Sequence, residues 1–165
     1  FEWLVPAMTM VDMPLWICGE GNFSEACRLL IKNYGLEHKV IMKGYVPPAE
    51  LAEITASAYA GINLVEPVGK NQIFSLANKF FDYIHAGIPQ LTMKFPEYER
   101  INDQYHIAVL IDSLDAEIIA RQLNNLLVNE VLYSTLKRNC ARAAENLNWL
   151  NEEKKLISFY MKILL

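Results

Sequence analysis

Short apolar runs alternate with stretches of helical spacing along the whole chain. The runs predict strands at residues 15–18, 39–43, 60–65, 90–93 and 107–111. Between and after them, apolar residues recur at helical intervals, which predicts helices at residues 1–12, 23–34, 48–57, 75–86, 96–102, 115–128, 130–147 and 149–165. Strands that alternate with helices in this way predict an α/β fold with a doubly wound, parallel sheet and right-handed crossovers.

The chain opens in a predicted helix, whereas a doubly wound domain normally opens with the strand that becomes central. We therefore expect the first strand of the sheet to lie upstream of Phe1. Because the chain shows no internal repeat, low-complexity tract or linker, we expect residues 1–165 to form one domain.

The most informative stretch runs from residue 63 to residue 89. It reads as the end of a buried strand, a polar loop, and a helix that starts at Ser75. One face of that helix carries a polar stripe, made by Ser75, Asn78, Asp82 and His85. A polar stripe beside the carboxyl end of a strand indicates a ligand-facing helix, and a solvated face is the alternative.

Composition and charge exclude several classes of protein. The net charge of −4 and the lack of a dense basic patch argue against nucleic-acid binding. No apolar run is long enough for a transmembrane helix. The three cysteines have no metal-ligand spacing with each other or with the histidines, so we expect reduced thiols, no metal site and a cytoplasmic location.

Three strand-to-helix corners should gather at the carboxyl edge of the sheet. At the first, Gly19-Glu20-Gly21 is similar to a dinucleotide-binding turn, but position 24 holds Ser where the full fingerprint needs a third glycine. A tight turn alone would explain these two glycines, so a nicotinamide-dependent oxidoreductase is the weakest alternative.

The corner before Ser75 offers better chemistry. Free amides and the dipole at a helix N-terminus favour a phosphate, and Lys70 and Lys79 would add positive charge. Asp82 would reach beyond the phosphates, where a carboxylate suits a pair of sugar hydroxyls. A solvated lysine and a surface carboxylate are the alternatives for Lys79 and Asp82.

Three motifs resemble the C-terminal domain of GT-B fold glycosyltransferases of the retaining family 4 type. They are LWICGEG at 15–21, VIMKGYV at 40–46 and SLANKFFDYIHAGIP at 75–89, and the closing segment from Asn148 to Tyr160 is similar as well. The resemblance implies a Rossmann-like domain that binds a nucleoside-diphosphate sugar, with no cofactor. The acceptor site and the usual catalytic histidine would belong to an N-terminal domain, so no catalytic residue is assigned here.

The same resemblance implies roles for individual residues. Asp82 matches the second glutamate of the family's Glu-x7-Glu motif, which contacts the donor ribose. The amides of Leu76, Ala77 and Asn78 would face the phosphates or the sugar, together with Ser75 and Lys79. The nucleobase loop corresponds to Gly44, Tyr45 and Val46, and the first corner contributes Gly19 and Gly21.

Departures from the family pattern leave alternatives open. The motif's first glutamate falls at position 74, which is Phe, and Glu66 is not in register to replace it. A sugar-nucleotide epimerase of the same fold and a non-catalytic nucleotide-sugar-binding domain are the other candidates. We expect the isolated domain to bind a donor without turnover, in a protein whose commonest setting is cell-surface polysaccharide synthesis. Peripheral membrane association would then run through the N-terminal domain.

The last predicted helix has two interpretations. Its apolar stripe, formed by Leu150, Ile157, Tyr160 and Leu164, either closes the core of this domain or crosses to the partner domain. The second arrangement would leave apolar surface exposed on this chain.

Overall fold

A computed structural model describes residues 1–164, and the end of the last predicted helix at Leu165 lies outside the described residues. The strands are β1 (Leu15–Cys18), β2 (Val40–Gly44), β3 (Gly61–Asn63), β4 (Gln90–Met93) and β5 (Ala108–Ile111). The helices are α1 (Leu4–Ala7), α2 (Ser24–Asn33), α3 (Pro48–Ser57), α4 (Lys70–Ile73), α5 (Asn78–His85), α6 (Pro96–Tyr105), α7 (Ala116–Val128), α8 (Glu130–Ala144) and α9 (Trp149–Leu164). The predicted alternation of strands and helices is confirmed.

All strand pairs are parallel, as predicted, but they form two sheets. β1 pairs with β2, and β3, β4 and β5 form a second sheet in that order. The free edge of β3 is occupied by a side chain, because Tyr83 Oη donates a hydrogen bond to the Ile62 carbonyl at 3.3 Å. The strand expected upstream of Phe1 stays a prediction.

The first helical segment is shorter than predicted. α1 is a four-residue helix followed by a 3₁₀ turn at Met8–Met10. Pro6 lies within the first turn, where a missing N–H costs little. Val5 and Ala7 are fully buried, and α1 packs against α7. This segment therefore belongs to the core.

The helix predicted to start at Ser75 begins at Asn78. Ala77, with φ −75° and ψ 142°, has an extended backbone, and its N–H bonds to Tyr98 instead of joining a helix. Ser75 lies outside the helix and donates its hydroxyl proton to the Gln72 carbonyl. Of the predicted polar stripe, Asn78, Asp82 and His85 are on α5 and exposed.

The last helix does not close the core of the described residues, so that interpretation is wrong. All of α9 is exposed except Asn151, which is half-buried. Its apolar side chains are solvent-facing, with Leu150 70% and Leu164 76% exposed. The alternative, in which α9 covers another domain, stays a prediction.

Candidate functional site

The first two strand-to-helix corners are in direct contact. Gly19 N–H, just after β1, donates a hydrogen bond to the Gly44 carbonyl at the end of β2. The N···O distance is 2.7 Å, which is short for such a bond. The corner of Gly19 and the predicted nucleobase loop from Gly44 to Val46 therefore form one unit.

The backbone conformation at position 44 favours glycine. Its φ of +67° lies in the left-handed region, and a Cβ would come within 3.1 Å of Glu20 Oε1. Tyr45, which follows, is 76% exposed, and Val46 is half-buried. An exposed aromatic ring at this edge offers a stacking surface for a flat ligand.

The backbone groups of Gly21 are already hydrogen-bonded within their own turn. Its N–H donates to Ser24 Oγ at 3.0 Å, and Ser24 N–H returns a bond to the Gly21 carbonyl at 3.0 Å. These bonds start α2, so the amide of Gly21 has an acceptor without a ligand. The predicted role of Gly21 in donor binding stays a prediction.

Beside this corner is a cavity of about 190 Å³. It is lined by Phe1, residues 17–21, Phe23, Ser24, Cys27 and Met42. Pockets that enclose a drug-sized ligand usually measure about 300–1,000 Å³. The cavity is therefore too small to enclose a whole nucleotide sugar.

The N-terminus of α5 presents unpaired amides. Among residues 1–164, the N–H groups of Leu76, Asn78 and Lys79 have no hydrogen-bond acceptor. The Ala77 N–H, predicted to face a ligand, donates instead to Tyr98 Oη at 3.0 Å. Free amides at the positive end of a helix dipole favour an anion such as a phosphate.

Lys79 adds positive charge in the first turn of α5. Its side chain reaches the surface, yet desolvation by the surrounding protein lowers the pKa of its ammonium group. Desolvation makes the charged form more costly, and a bound anion would offset that cost. Lys70, in α4, is exposed.

Asp82 lies one helical turn beyond Asn78, about 6 Å along the axis at 1.5 Å per residue. It is exposed and accepts no hydrogen bond from another side chain among the described residues. His85, a further turn along, lies 2.7 Å from the Leu147 carbonyl through Nε2, which indicates a structural role for this side chain. The N-terminus of α5 thus presents free amides, and the exposed Asp82 carboxylate follows one turn later, in the middle of the helix.

Sequence reasoning missed the residues that fix α5 on the sheet. Gly61 lies under the Tyr83 ring so closely that an added Cβ would be 2.3 Å from a ring carbon. Gln90, in β4, donates from Nε2 to the Phe80 carbonyl at 3.0 Å. Tyr83 is half-buried, and desolvation raises the pKa of its hydroxyl, which the hydrogen bond to the Ile62 carbonyl partly offsets. Asp82 and Cys18 raise this pKa by smaller amounts.

The buried polar side chains of the described residues all lie under this helix. Asn63, Gln90 and Thr92 are fully buried, and Asn63 Nδ2 donates to Thr92 Oγ1 at 2.9 Å. The signal was present in the sequence, because these polar residues interrupt strands that are otherwise apolar. Burying polar side chains costs free energy unless they are hydrogen-bonded, so the contact between α5 and the sheet differs from a purely apolar core.

Within residues 1–164, no group of three or more His, Cys, Asp or Glu side chains is placed to hold a metal ion. All three cysteines are free. No described helix is both long and apolar enough to cross a membrane.

Comparison with known families decides the identity of this domain. The sequence profile of the family described as "Glycosyl transferases group 1" matches residues 6–147. The chain belongs to this family. The match includes every corner of the candidate site described above, from Gly19 to Asp82.

Several solved structures share the fold of this chain. HepE of Anabaena in complex with UDP superposes with a TM-score of 0.79 at 14% identity, over 98% of this chain and 44% of HepE. The HepE complex with UDP-glucose superposes with a TM-score of 0.79 at 15% identity, over 95% of this chain and 44% of HepE. WaaG, a glycosyltransferase involved in lipopolysaccharide biosynthesis, superposes with a TM-score of 0.67 at 16% identity, over 87% of this chain and 38% of WaaG. The Rossmann-like GT-B C-terminal architecture predicted from the sequence is confirmed.

The chain spans less than half the length of these structural neighbours. A search of curated protein sequences finds no significant match.

Proposed function

We propose that this chain is the donor-binding domain of a glycosyltransferase that takes its sugar from a nucleoside-diphosphate sugar. The observation that carries the proposal is the N-terminus of α5, where the amides of Leu76, Asn78 and Lys79 are free. Asp82 follows Asn78 by one helical turn. Such amides suit a diphosphate, and a carboxylate suits the two hydroxyls of a ribose.

The two remaining corners fit the same ligand. The contact between Gly19 and Gly44 holds the exposed Tyr45 beside the sheet edge, where a nucleobase would lie. HepE, which shares the fold, was solved with UDP and with UDP-glucose. Because the cavity near Gly19 is too small for a whole donor, the rest of the enclosure would come from an N-terminal domain.

In the reaction, the bond between the sugar and the diphosphate breaks and negative charge develops on the leaving group. Fixed amides at the start of α5 and the Lys79 ammonium would stabilise this charge without reorganising. The proposal needs no metal or other cofactor. The N-terminal domain would supply the acceptor site, so this chain alone should bind a donor without transferring its sugar.

The setting of the reaction is part of the proposal. The role of WaaG in lipopolysaccharide biosynthesis supports a place in cell-surface polysaccharide synthesis, with the protein in the cytoplasm. Contact with the membrane would run through the N-terminal domain.

Phe74 supports a second candidate, a domain that binds nucleotide sugars without transfer. It replaces the first glutamate of the family motif, and its side chain is 59% exposed at the end of α4. A carboxylate accepts hydrogen bonds from sugar hydroxyls, whereas a phenyl ring has no acceptor atom for them.

Calorimetric titration of the chain with UDP, GDP and ADP tests donor binding. We expect one of the three to bind, and Asp82→Ala to weaken that binding roughly tenfold or more, since hydrogen bonds to a charged group are lost. Asp103→Ala, which removes an exposed carboxylate on α6, is the matched control and should leave the affinity unchanged. Absence of binding by all three nucleotides, or full affinity after Asp82→Ala, would refute the proposal.

A further inference from the structure

Tyr98 connects α6 to the turn that precedes α5. Its side chain is completely buried, and its ring packs against Phe80 at 4.8 Å and Phe95 at 6.2 Å between centroids. The hydroxyl reaches the turn and accepts a hydrogen bond from Ala77 N–H at 3.0 Å. A rigid ring therefore holds one backbone amide from a different element.

This bond is the one external attachment of residues 74–77 by hydrogen bonding within the part of the chain that the structure describes. The other hydrogen bonds of these residues are local. They run from Phe74 N–H to the Lys70 carbonyl, from Ser75 to the Gln72 carbonyl, and from Phe80 N–H to the Ala77 carbonyl. Without the Tyr98 hydroxyl, the remaining hydrogen bonds would connect this turn only to its own neighbours in sequence.

The direction of the Ala77 amide determines where its neighbours point. Ala77 has an extended backbone, so the peptide groups before and after it face different directions. Since Ala77 N–H points into the protein toward a buried hydroxyl, the free amides of Leu76 and Asn78 lie on either side of a fixed peptide. Preorganised donors bind an anion without the cost of ordering them.

We infer that Tyr98 is a positioning residue, whose hydroxyl holds the turn at residues 75–78 in the geometry that binds the diphosphate of the donor. It does not touch the ligand itself. The inference rests on the proposed function, because it assigns the diphosphate to that turn.

Tyr98→Phe tests this role, since it keeps the ring and removes the acceptor. A purely structural role would alter the affinity for all ligands alike, whereas a positioning role affects only those with a diphosphate. The measurement is the affinity for the nucleoside diphosphate that the chain binds and for the matching nucleoside, by calorimetry and NMR titration, well below the melting temperature. UDP and uridine are the pair if the chain binds UDP. We expect UDP affinity to fall roughly threefold to tenfold, the effect of about one hydrogen bond, with uridine affinity unchanged.

Tyr105→Phe is the matched control. Tyr105 lies on the same helix, is half-buried, and its hydroxyl makes no hydrogen bond among the described residues. It should leave both affinities unchanged. Unaltered UDP affinity in Tyr98→Phe, or an equal loss for UDP and uridine, would overturn the inference.

Amide hydrogen exchange separates this inference from the proposed function. In the ligand-free chain, Ala77 N–H should exchange at least about threefold faster in Tyr98→Phe than in the wild type or Tyr105→Phe. Unchanged Ala77 exchange would overturn the inference, whatever the affinities. If the wild-type chain binds none of UDP, GDP and ADP, the proposed function fails, and so does the assignment of the diphosphate to this turn. Faster exchange would then show only that Tyr98 orders it.

Discussion

The Tyr83 ring occupies the space in which a side chain on Gly61 would lie. An ideal Cβ on Gly61 would be 2.3 Å from a ring carbon, far inside van der Waals contact. This close approach lets α5 lie directly on β3, and so it sets the height of the candidate diphosphate site above the sheet.

Gly61→Ala should therefore destabilise the fold. Overpacking of this kind costs about 1–3 kcal/mol, because the ring or the helix must shift. Urea denaturation monitored by circular dichroism measures the change in the free energy of unfolding. Gly21→Ala is the control, since nothing lies within 4 Å of its Cβ position. Equal stability of the two variants would contradict the close packing.

Gly44→Ala tests the strain at the nucleobase loop. Its φ of +67° is costly for a residue with a Cβ, roughly 1–2 kcal/mol. Gly35, with φ +65°, is the matched control, because it shares the strain but has no neighbour within 4 Å. Glu20, at 3.1 Å from the Gly44 Cβ position, is exposed and free to rotate away.

We expect Gly44→Ala and Gly35→Ala to lower the unfolding free energy by similar amounts. A much larger loss at Gly44 would mean that Glu20 is held in place. Adding Glu20→Ala to Gly44→Ala would then remove the extra loss of unfolding free energy.

Cys140 makes stability depend on pH at the alkaline end. Desolvation raises the pKa of its thiol to about 12, from an ordinary value of 9.0. The folded state thus keeps a proton that the unfolded state loses above about pH 9. Its stabilising contribution is complete below pH 9 and disappears as the pH rises toward 12.

The measurement is the difference in unfolding free energy between the wild type and Cys140→Ala, at several pH values from 8 to 11. This difference should narrow as the pH rises above 9, by at most about 1.4 kcal/mol per pH unit. A constant difference would contradict a buried, protonated thiol.

The apolar side of α9 should make the isolated chain associate. Leu150, Ile157, Tyr160 and Leu164 are 70%, 55%, 54% and 76% exposed. Exposed apolar patches of this kind usually mark an interaction surface. Light scattering should show a mass that rises with concentration, and the double change Ile157→Ser with Leu164→Ser should reduce the rise. A strictly monomeric wild-type chain at high concentration would contradict this.

Much of the fold could be predicted where local signals decide the structure. The bounds of α3 and β4 agree with the predictions at Pro48–Ser57 and Gln90–Met93. In α3 the proline occupies the first helical position, which fits its fixed φ and missing N–H. Here the sequence contains the whole explanation.

The start of α5 could not be predicted in this way. Helical spacing begins at Ser75, yet the helix begins at Asn78, because Ala77 has an extended backbone with ψ 142°. The hydrogen bond from Ala77 N–H to Tyr98, 21 residues away, accompanies that conformation and has no signal in the local sequence. The amides of Leu76 and Asn78 have no acceptor among the described residues, whereas the Ala77 amide donates to Tyr98. The predicted contact of these amides with a phosphate or sugar stays a prediction. The role of Gly61 could not be predicted from the sequence, because it depends on the Tyr83 ring, which is 22 residues away in the chain.

The bond from Tyr83 Oη to the Ile62 carbonyl has a consequence for self-assembly. A free strand edge is a template on which another chain can add its own strand, and β3 is only three residues long. The phenol blocks the central carbonyl of that edge. The residue that packs α5 onto β3 thus also leaves the centre of this edge without a free acceptor for another chain's strand.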